Sequence, residues 1–328
     1  MAVETDLRVE SGSPIFIVGC ARSGTTLLRD LLRAHPRLTF PIESHFIPAF
    51  GKAYGDPRSA REAIRLARRI LNFGWVRPWG LPLAPEDFTD CRSYRQVVCR
   101  LFEAWARQEN KPRWGDKTPR YVLWIPELVA LFPGAKIIHI YRDGRDVALS
   151  WLAARFGPVN LYMAAGGWKR RVRRGRQAGA ALPKSSYLEV QYEQLLQQPR
   201  HVMERVCAFI GEPFDEAVLR PSRLAAPFRG TPPAFAAEIV SGNWAKWKTK
   251  MSQRDRILFE SVAGDLLEEL GYETEGRRRG MSALERGFWK AHHYAGRAVV
   301  RLASPSGPDS LRSVLQVWWA LWRGGLRL

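Results

Sequence analysis

The sequence points to an α/β fold, a parallel sheet with helices on both faces, followed by a basic helical extension at the C-terminal end. Three observations carry this expectation. The apolar run Ile15-Phe-Ile-Val18 breaks into the glycine-bounded turn Gly19 to Gly24 and resumes with helical spacing from Thr25 to Ala34. That order reads as a buried strand, a phosphate-binding loop and a helix whose free N–H groups point back at the loop. A second apolar run, Ala135 to Tyr141, delivers Arg142-Asp-Gly-Arg-Asp146 to its end and passes into another helix. Strand and helix signals alternate through the rest, as in a parallel sheet covered on both sides.

The elements follow in order. Arg58 to Asn72 has helical periodicity through Ala60, Ile64, Ala67 and Leu71, and Pro78 to Pro85 is a proline-rich loop, so this stretch shapes a pocket. A helix covers Tyr94 to Gln108. Pro119 to Phe132 reads as a helix interrupted near Pro126, and Pro133-Gly134 turns the chain into the second strand. A further strand is expected at Ser186 to Val190, and a helix at Pro199 to Ile210 with Val202, Val206 and Ile210 on one side. The α/β domain therefore spans 13–275. Residues 276–328 form the basic extension, in which Leu284, Phe288, Ala295, Val299 and Leu302 share a helical face and Arg286, Lys290, Arg297 and Arg301 lie roughly opposite. Val314 to Trp322, with Trp318, Trp319 and Trp322, is apolar but too short to cross a bilayer. Two placements suit these helices: packing on the core or a partner subunit, the commoner use, or peripheral contact at a membrane interface.

At 328 residues and 46% hydrophobic content, the chain can bury a large core. Cys20, Cys91, Cys99 and Cys207 show no C-x-x-C pairing or metal-ligand rhythm, which suits reduced thiols in the cytoplasm. Met1 to Glu10 carries charge and no apolar leader run. The net charge of +19 is concentrated in Lys169 to Lys184, with seven basic residues and no acid, and in Arg277 to Leu328, with ten against Glu285 and Asp309. Such patches attract nucleic acid, anionic lipid or an acidic substrate. No helix-turn-helix, zinc-finger or RNA-binding signature accompanies them, so nucleic acid is not the expected partner.

The spacing from Gly19 to Thr26 matches G-x-x-x-x-G-K-[ST] except that Thr25 replaces the lysine that reaches the terminal phosphates of a nucleoside triphosphate. A kinase or NTPase would lack that cation. Arg142, at the end of its strand, and Ser150, on the following helix, are expected to face the same crevice as the first loop, because ligands bind beyond the carboxyl ends of parallel strands. Two anion sites would then share one cleft. A general anionic-polymer-binding module would explain the charge and leave these ordered motifs unexplained.

These motifs together resemble the sulfotransferases that use 3′-phosphoadenosine 5′-phosphosulfate (PAPS), in the branch of tyrosylprotein sulfotransferases and bacterial relatives. Gly19-Cys-Ala-Arg-Ser-Gly-Thr-Thr26 is similar to that family's 5′-phosphosulfate loop, and Tyr141-Arg-Asp-Gly-Arg-Asp-Val-Ala-Leu-Ser150 to its 3′-phosphate site. Ala34-His-Pro36, Gly115-Asp-Lys-Thr-Pro119, Gln191-Tyr-Glu-Gln-Leu195 and Trp244-Ala-Lys-Trp247 extend the likeness. It implies a P-loop-like fold, PAPS as co-substrate and no metal. It also implies that Arg22, Ser23, Gly24, Thr25 and Thr26 hold the 5′ end, Arg142 and Ser150 the 3′-phosphate, with Tyr192 near the nucleotide and Lys246 reaching a phosphate. Glu43 stands where the family carries a catalytic glutamate, with His45 as the alternative base, whose ordinary pKa near 6.5 suits the task. Lys117, expected in a turn, and Arg22 would neutralise charge on the transferring group. His35 belongs to a helix-ending turn. Phe50 to Cys91 and Arg155 to Ala181 are expected to wall an acceptor pocket, and the acceptor stays open among peptide tyrosine, carbohydrate, lipid and small molecule.

Overall fold

A computed structural model describes residues 13–154, 157–220 and 242–302, with side chains as far as residue 299. The apolar run Val314 to Trp322 lies outside them. Five strands form one sheet: β1 Ile15–Gly19, β2 Leu38–Thr39, β3 Arg113–Lys117, β4 Lys136–Tyr141 and β5 Tyr187–Gln191. Their order is β2-β3-β1-β4-β5 and every neighbouring pair is parallel. Ile17 of β1 stands opposite Lys117 on one side and Ile138 on the other, and Gly19 stands opposite Ile140. The phosphate loop therefore leaves the sheet at the same edge as Lys117 and Arg142.

The helices are α1 Thr25–Ala34, α2 Ile47–Tyr54, α3 Ala60–Leu71, α4 Tyr94–Gln108, α5 Ile125–Leu131, α6 Gly144–Leu152, α7 Leu161–Ala180, α8 Tyr192–Gln197, α9 Pro199–Ile210, α10 Trp247–Lys250, α11 Gln253–Glu269 and α12 Ala283–Leu302. Alternation along β1 assigns the layers. Ile15 and Ile17 pack with Leu28 and Leu32 of α1 and Val202 and Val206 of α9. Phe16 and Val18 face the other way, into a core shared with Phe102 of α4 and Leu128 of α5. A third cluster joins Val147 of α6, Trp168 of α7 and Phe259 of α11 behind the end of β4. Both faces of the sheet are covered.

Two differences from the sequence expectation matter. Arg113-Trp-Gly-Asp-Lys117 is a fully buried strand, so Lys117 ends a strand and does not sit in a turn. Arg113 is held there by Glu212 at 2.9 Å and the Ile210 carbonyl at 2.7 Å, so its charge does not stop the segment from being buried. The basic run of α7 is also no open wall. Lys169 and Arg173 pair with Asp265 at 2.7 and 2.6 Å, and Arg176 with Glu189 and Glu269 at 3.1 and 2.5 Å. Trp168 and Val172 of the same helix are fully buried. At Gly175 the helix lies so close to β4 that an added Cβ would come within 2.5 Å of the His139 ring, and at Gly144 an added Cβ would meet the Trp168 indole at 2.4 Å.

Helix α12 docks on the start of α7. Asn160 Nδ2 donates to the Trp289 carbonyl at 2.8 Å, and the Val159 N–H donates to His293 Nδ1 at 3.3 Å. The face expected to pack, containing Leu284, Phe288 and Val299, is exposed instead.

Candidate active site

The loop after β1 is built to present N–H groups. The Ser23 N–H donates to the Cys20 carbonyl at 3.1 Å, Arg22 adopts a left-handed φ of 73°, and Gly24 has φ 91°. Only glycine fits at Gly24, because a Cβ there would lie 2.2 Å from Cδ2 of Tyr192. Helix α1 starts immediately afterwards with no side-chain cap, which leaves its first N–H groups for an anion. Thr25 is almost fully buried, and the hydroxyl of the fully buried Ser23 has no partner within the protein. An orphaned buried hydroxyl in an anion loop fits a ligand oxygen. Cys20, in the same turn, is an inert thiol, since burial pushes its pKa up to about 12.

The second motif closes on this loop. Arg22 Nε donates to Ser150 Oγ at 2.8 Å, linking residues 128 positions apart. Arg142 lies over the Tyr192 ring at 4.5 Å and donates from Nη2 to Asp146 Oδ2 and to the Asn243 carbonyl, both at 2.9 Å. Its buried Nε has no protein partner. The Tyr192 hydroxyl accepts from Asn243 Nδ2 at 3.0 Å. Behind Arg142, the Trp168 indole N–H donates to its carbonyl at 3.0 Å and fixes the end of the strand. Lys246 is exposed at the start of α10, and its neighbours reach the cleft: Asn243 as above, and Trp247 by donating its N–H to Asp146 Oδ1 at 2.9 Å.

Beside the loop stands a line of three ionisable groups. Lys117 Nζ is 2.5 Å from Glu43 Oε1 and 3.4 Å from Thr26 Oγ1, and His45 Nε2 is 2.8 Å from Glu43 Oε2. Lys117 is nearly fully buried, and burial lowers its pKa against the pull of Glu43. Burial pushes the Glu43 carboxyl up, but Lys117 and His45 outweigh it and hold the carboxyl well below the usual glutamate range. The His45 ring packs against Trp75 with centroids 4.2 Å apart, and its backbone takes a left-handed φ of 56°. A non-glycine residue in that region is strained, and such strain collects at functional sites.

A profile of the sulfotransferase family matches residues 14–216. The chain belongs to the sulfotransferase family. A Caenorhabditis briggsae relative of the protein-tyrosine sulfotransferase kind is 27% identical over 80% of this chain and 90% of its own length. Protein-tyrosine sulfotransferase 2 of Gallus gallus is 28% identical over 64% of this chain, which spans about half (54%) of that enzyme. Among solved structures, the sulfotransferase domain from the curacin biosynthetic pathway superposes with a TM-score of 0.58 at 22% identity, covering 80% of this chain and 99% of that one. The shared fold is a P-loop-like α/β sheet, as the sequence led us to expect.

In this sulfotransferase the segment carrying Glu43 and His45 is held by a buried polar network that sequence reasoning missed. The Ser44 N–H donates to Thr118 Oγ1 at 3.0 Å, Ser44 Oγ and the Tyr121 hydroxyl are 2.8 Å apart, and the Ile47 N–H donates to that hydroxyl at 2.9 Å. Thr118 also donates to Asp116 at 3.3 Å, and burial raises the Asp116 carboxyl to about 7. Arg145, fully buried, was unassigned as well. It grips Asp143 at 2.8 Å and Glu260 at 3.1 Å and lies 3.5 Å from the Trp247 ring centroid, tying α10 to the strand end. The repeated arginine and aspartate of Arg142-Asp-Gly-Arg-Asp146 was the available signal. His35 is structural, with Nε2 3.0 Å from the Pro213 carbonyl. Among the described residues no group of three or more His, Cys, Asp or Glu side chains is arranged to hold a metal ion.

Proposed function

We propose that this chain transfers the sulfuryl group of PAPS to a hydroxyl or amine acceptor by in-line displacement, with Glu43 as general base and Lys117 and Arg22 as cations beside the transferring group. The observation that carries the reading is the closure of the two anion-binding motifs on one cleft, made by the 2.8 Å bond from Arg22 to Ser150. One motif offers uncapped helix N–H groups with Ser23, Gly24, Thr25 and Thr26. The other offers Arg142, Ser150 and the Tyr192 ring. Such a pair suits a nucleoside with an anion on each side of the ribose. When bound, PAPS supplies a sulfuryl group activated by its bond to a phosphate.

The rest is the work of this chain's own side chains. The orphaned Ser23 hydroxyl and Arg142 Nε supply donors that the protein itself leaves unused. Tyr192 gives an aromatic surface beside Gly24, and Lys246 stands exposed at the rim to reach a phosphate. Glu43 accepts the acceptor's proton, and for this its pairing with Lys117 must loosen, since an ammonium at 2.5 Å suppresses basicity. Lys117 already lies between Glu43 and Thr26, so a short movement toward an anion in the loop frees the carboxylate and brings the charge where a leaving oxygen develops it. His45, with Nε2 2.8 Å from the same carboxylate, packs beside it and restricts its orientation.

Calorimetric binding of 3′,5′-adenosine bisphosphate, ATP and 5′-AMP tests the donor. Binding that requires the 3′-phosphate and collapses in Arg142→Ala is the expected result, and equal binding of ATP would return the chain to a kinase reading. A peptide tyrosine is the first acceptor to assay, because the Gallus gallus relative is a protein-tyrosine sulfotransferase.

A further inference from the structure

We propose that α12 docks this enzyme, by its exposed apolar face, on the surface of an anionic phospholipid bilayer. Among the described residues six large hydrophobic side chains are more than a third exposed, and four of them lie on this one helix: Leu284 at 87%, Phe288 at 60%, Tyr294 at 66% and Val299 at 65%. Leu284, Phe288 and Val299 share one stripe with the exposed Ala291, Ala295 and Ala298, a strip about 22 Å long at 1.5 Å per residue.

The exposure is oriented. Trp289, His293 and Gly296 occupy a different face and hold the helix to the body, through the bonds from Asn160 and Val159 and a close approach of Gly296 to the Val159 side chain. With that face fixed, the apolar stripe is left pointing away from the core.

Charge selects the occupant. Arg286 and Lys290 are exposed on the strip of helix beyond the docking face, and the helix's single acid, Glu285, is already taken by Arg279 at 2.9 Å. Apolar side chains along one face and cations along another form the pattern of a helix lying in the headgroup plane, where long basic side chains reach the lipid phosphates on either side. A polyanion such as nucleic acid would use the cations and leave the apolar stripe in water. Downstream sequence continues in the same character, with Trp318, Trp319 and Trp322 among Arg312, Arg323 and Arg327, residues that favour the headgroup region. No helix among the described residues is long and apolar enough to cross a membrane, so the attachment lies along the surface.

Cosedimentation of the full chain with phosphatidylcholine vesicles, and with vesicles containing phosphatidylglycerol, tests this. Wild type should sediment with the anionic vesicles in preference to the neutral ones. The double variant Phe288→Glu, Val299→Glu should lose at least about tenfold in partition, and Arg286→Gln, Lys290→Gln roughly fivefold per cation at low salt. The substituted side chains are exposed, so thermal midpoints and adenosine bisphosphate binding should stay at wild-type values. Absence of wild-type sedimentation, as expected if residues 303–328 cover the stripe, would overturn the proposal. So would equal partition onto neutral vesicles, unchanged sedimentation of the Phe288→Glu, Val299→Glu variant, or a wild-type dimer that this variant dissociates without any vesicle binding.

Discussion

Replacing Lys117 by methionine separates the charge of this side chain from its volume and asks whether Glu43 is held in check by it. The ammonium is 2.5 Å from the carboxylate oxygen and almost fully buried, and the Glu43 side chain is only 24% exposed. A charge pair with centres about 4 Å apart is worth about 4 kcal/mol at an effective dielectric constant near 20. Partial exposure of Glu43 reduces this to about 2–4 kcal/mol. At about 1.36 kcal/mol per decade, that is roughly a 30- to 900-fold change in the protonation equilibrium. In Lys117→Met, burial still pushes the Glu43 carboxyl up and only His45 opposes it, so the carboxyl should titrate well above its wild-type midpoint. Carbon-13 NMR of the glutamate carboxyl carbons reads this directly, with Glu43→Gln to identify the signal. A Glu43 midpoint within a few tenths of a pH unit of wild type would refute the coupling, and with it the need for Lys117 to move before the base can work. Turnover of the same variant should fall by about 10² to 10³ with a smaller effect on donor binding.

Gly24→Ala places a methyl 2.2 Å from the Tyr192 ring at a φ of 91°, which costs about 1–2 kcal/mol in backbone strain before the ring moves. Calorimetry should show adenosine bisphosphate binding weakened by more than about tenfold, and wild-type affinity would mean that Tyr192 plays no part in the donor site. Asp116 gives a pH signature. Its folded carboxyl holds a proton to about pH 7, while in the unfolded chain it ionises near 4, so wild-type stability should fall as pH rises between those values. The slope is at most about 1.4 kcal/mol per pH unit, and Asp116→Asn should flatten it. Parallel urea-unfolding midpoints of the two proteins from pH 5 to pH 8 would show that Asp116 is not the titrating group.

What was legible in the sequence shares a property: it depends on neighbours close in the chain. The phosphate loop could be read because an apolar strand, a glycine turn and a helix follow one another directly, and the α4 and α9 boundaries Tyr94–Gln108 and Pro199–Ile210 came from local periodicity and a first-turn proline. Strand β3 was not legible because its charged residues are neutralised from afar, Arg113 by Glu212 and Lys117 by Glu43. The two-residue β2 is too short for any period to register. Lys169, Arg173 and Arg176 looked unopposed because their partners Asp265, Glu269 and Glu189 come from α11 and β5. Periodicity also identified the apolar face of α12 without indicating that the body would be gripped by a different one. At the candidate site the motifs named the groups, and only the fold could supply the 2.8 Å contact between Arg22 and Ser150 or the flanking of Glu43 by Lys117 and His45.

The glycine-to-ring contacts behind the cleft act as spacers. Gly24 rests on Tyr192, Gly144 on Trp168 and Gly175 on His139. Each joins backbone to a flat ring that has few rotamers and cannot shorten, unlike an aliphatic side chain, which can repack. The distance between loop and strand end is thereby set by ring thickness, as a machinist sets a gap with shims. Substitutions among the surrounding leucines and valines should then be absorbed as lost stability, leaving the span between the two anion-binding ends unaltered. A scaffold gauged in this way can let segments away from these contacts, such as the loop between α3 and α4, diversify over many sequence changes while the cleft between loop and strand end keeps its dimensions.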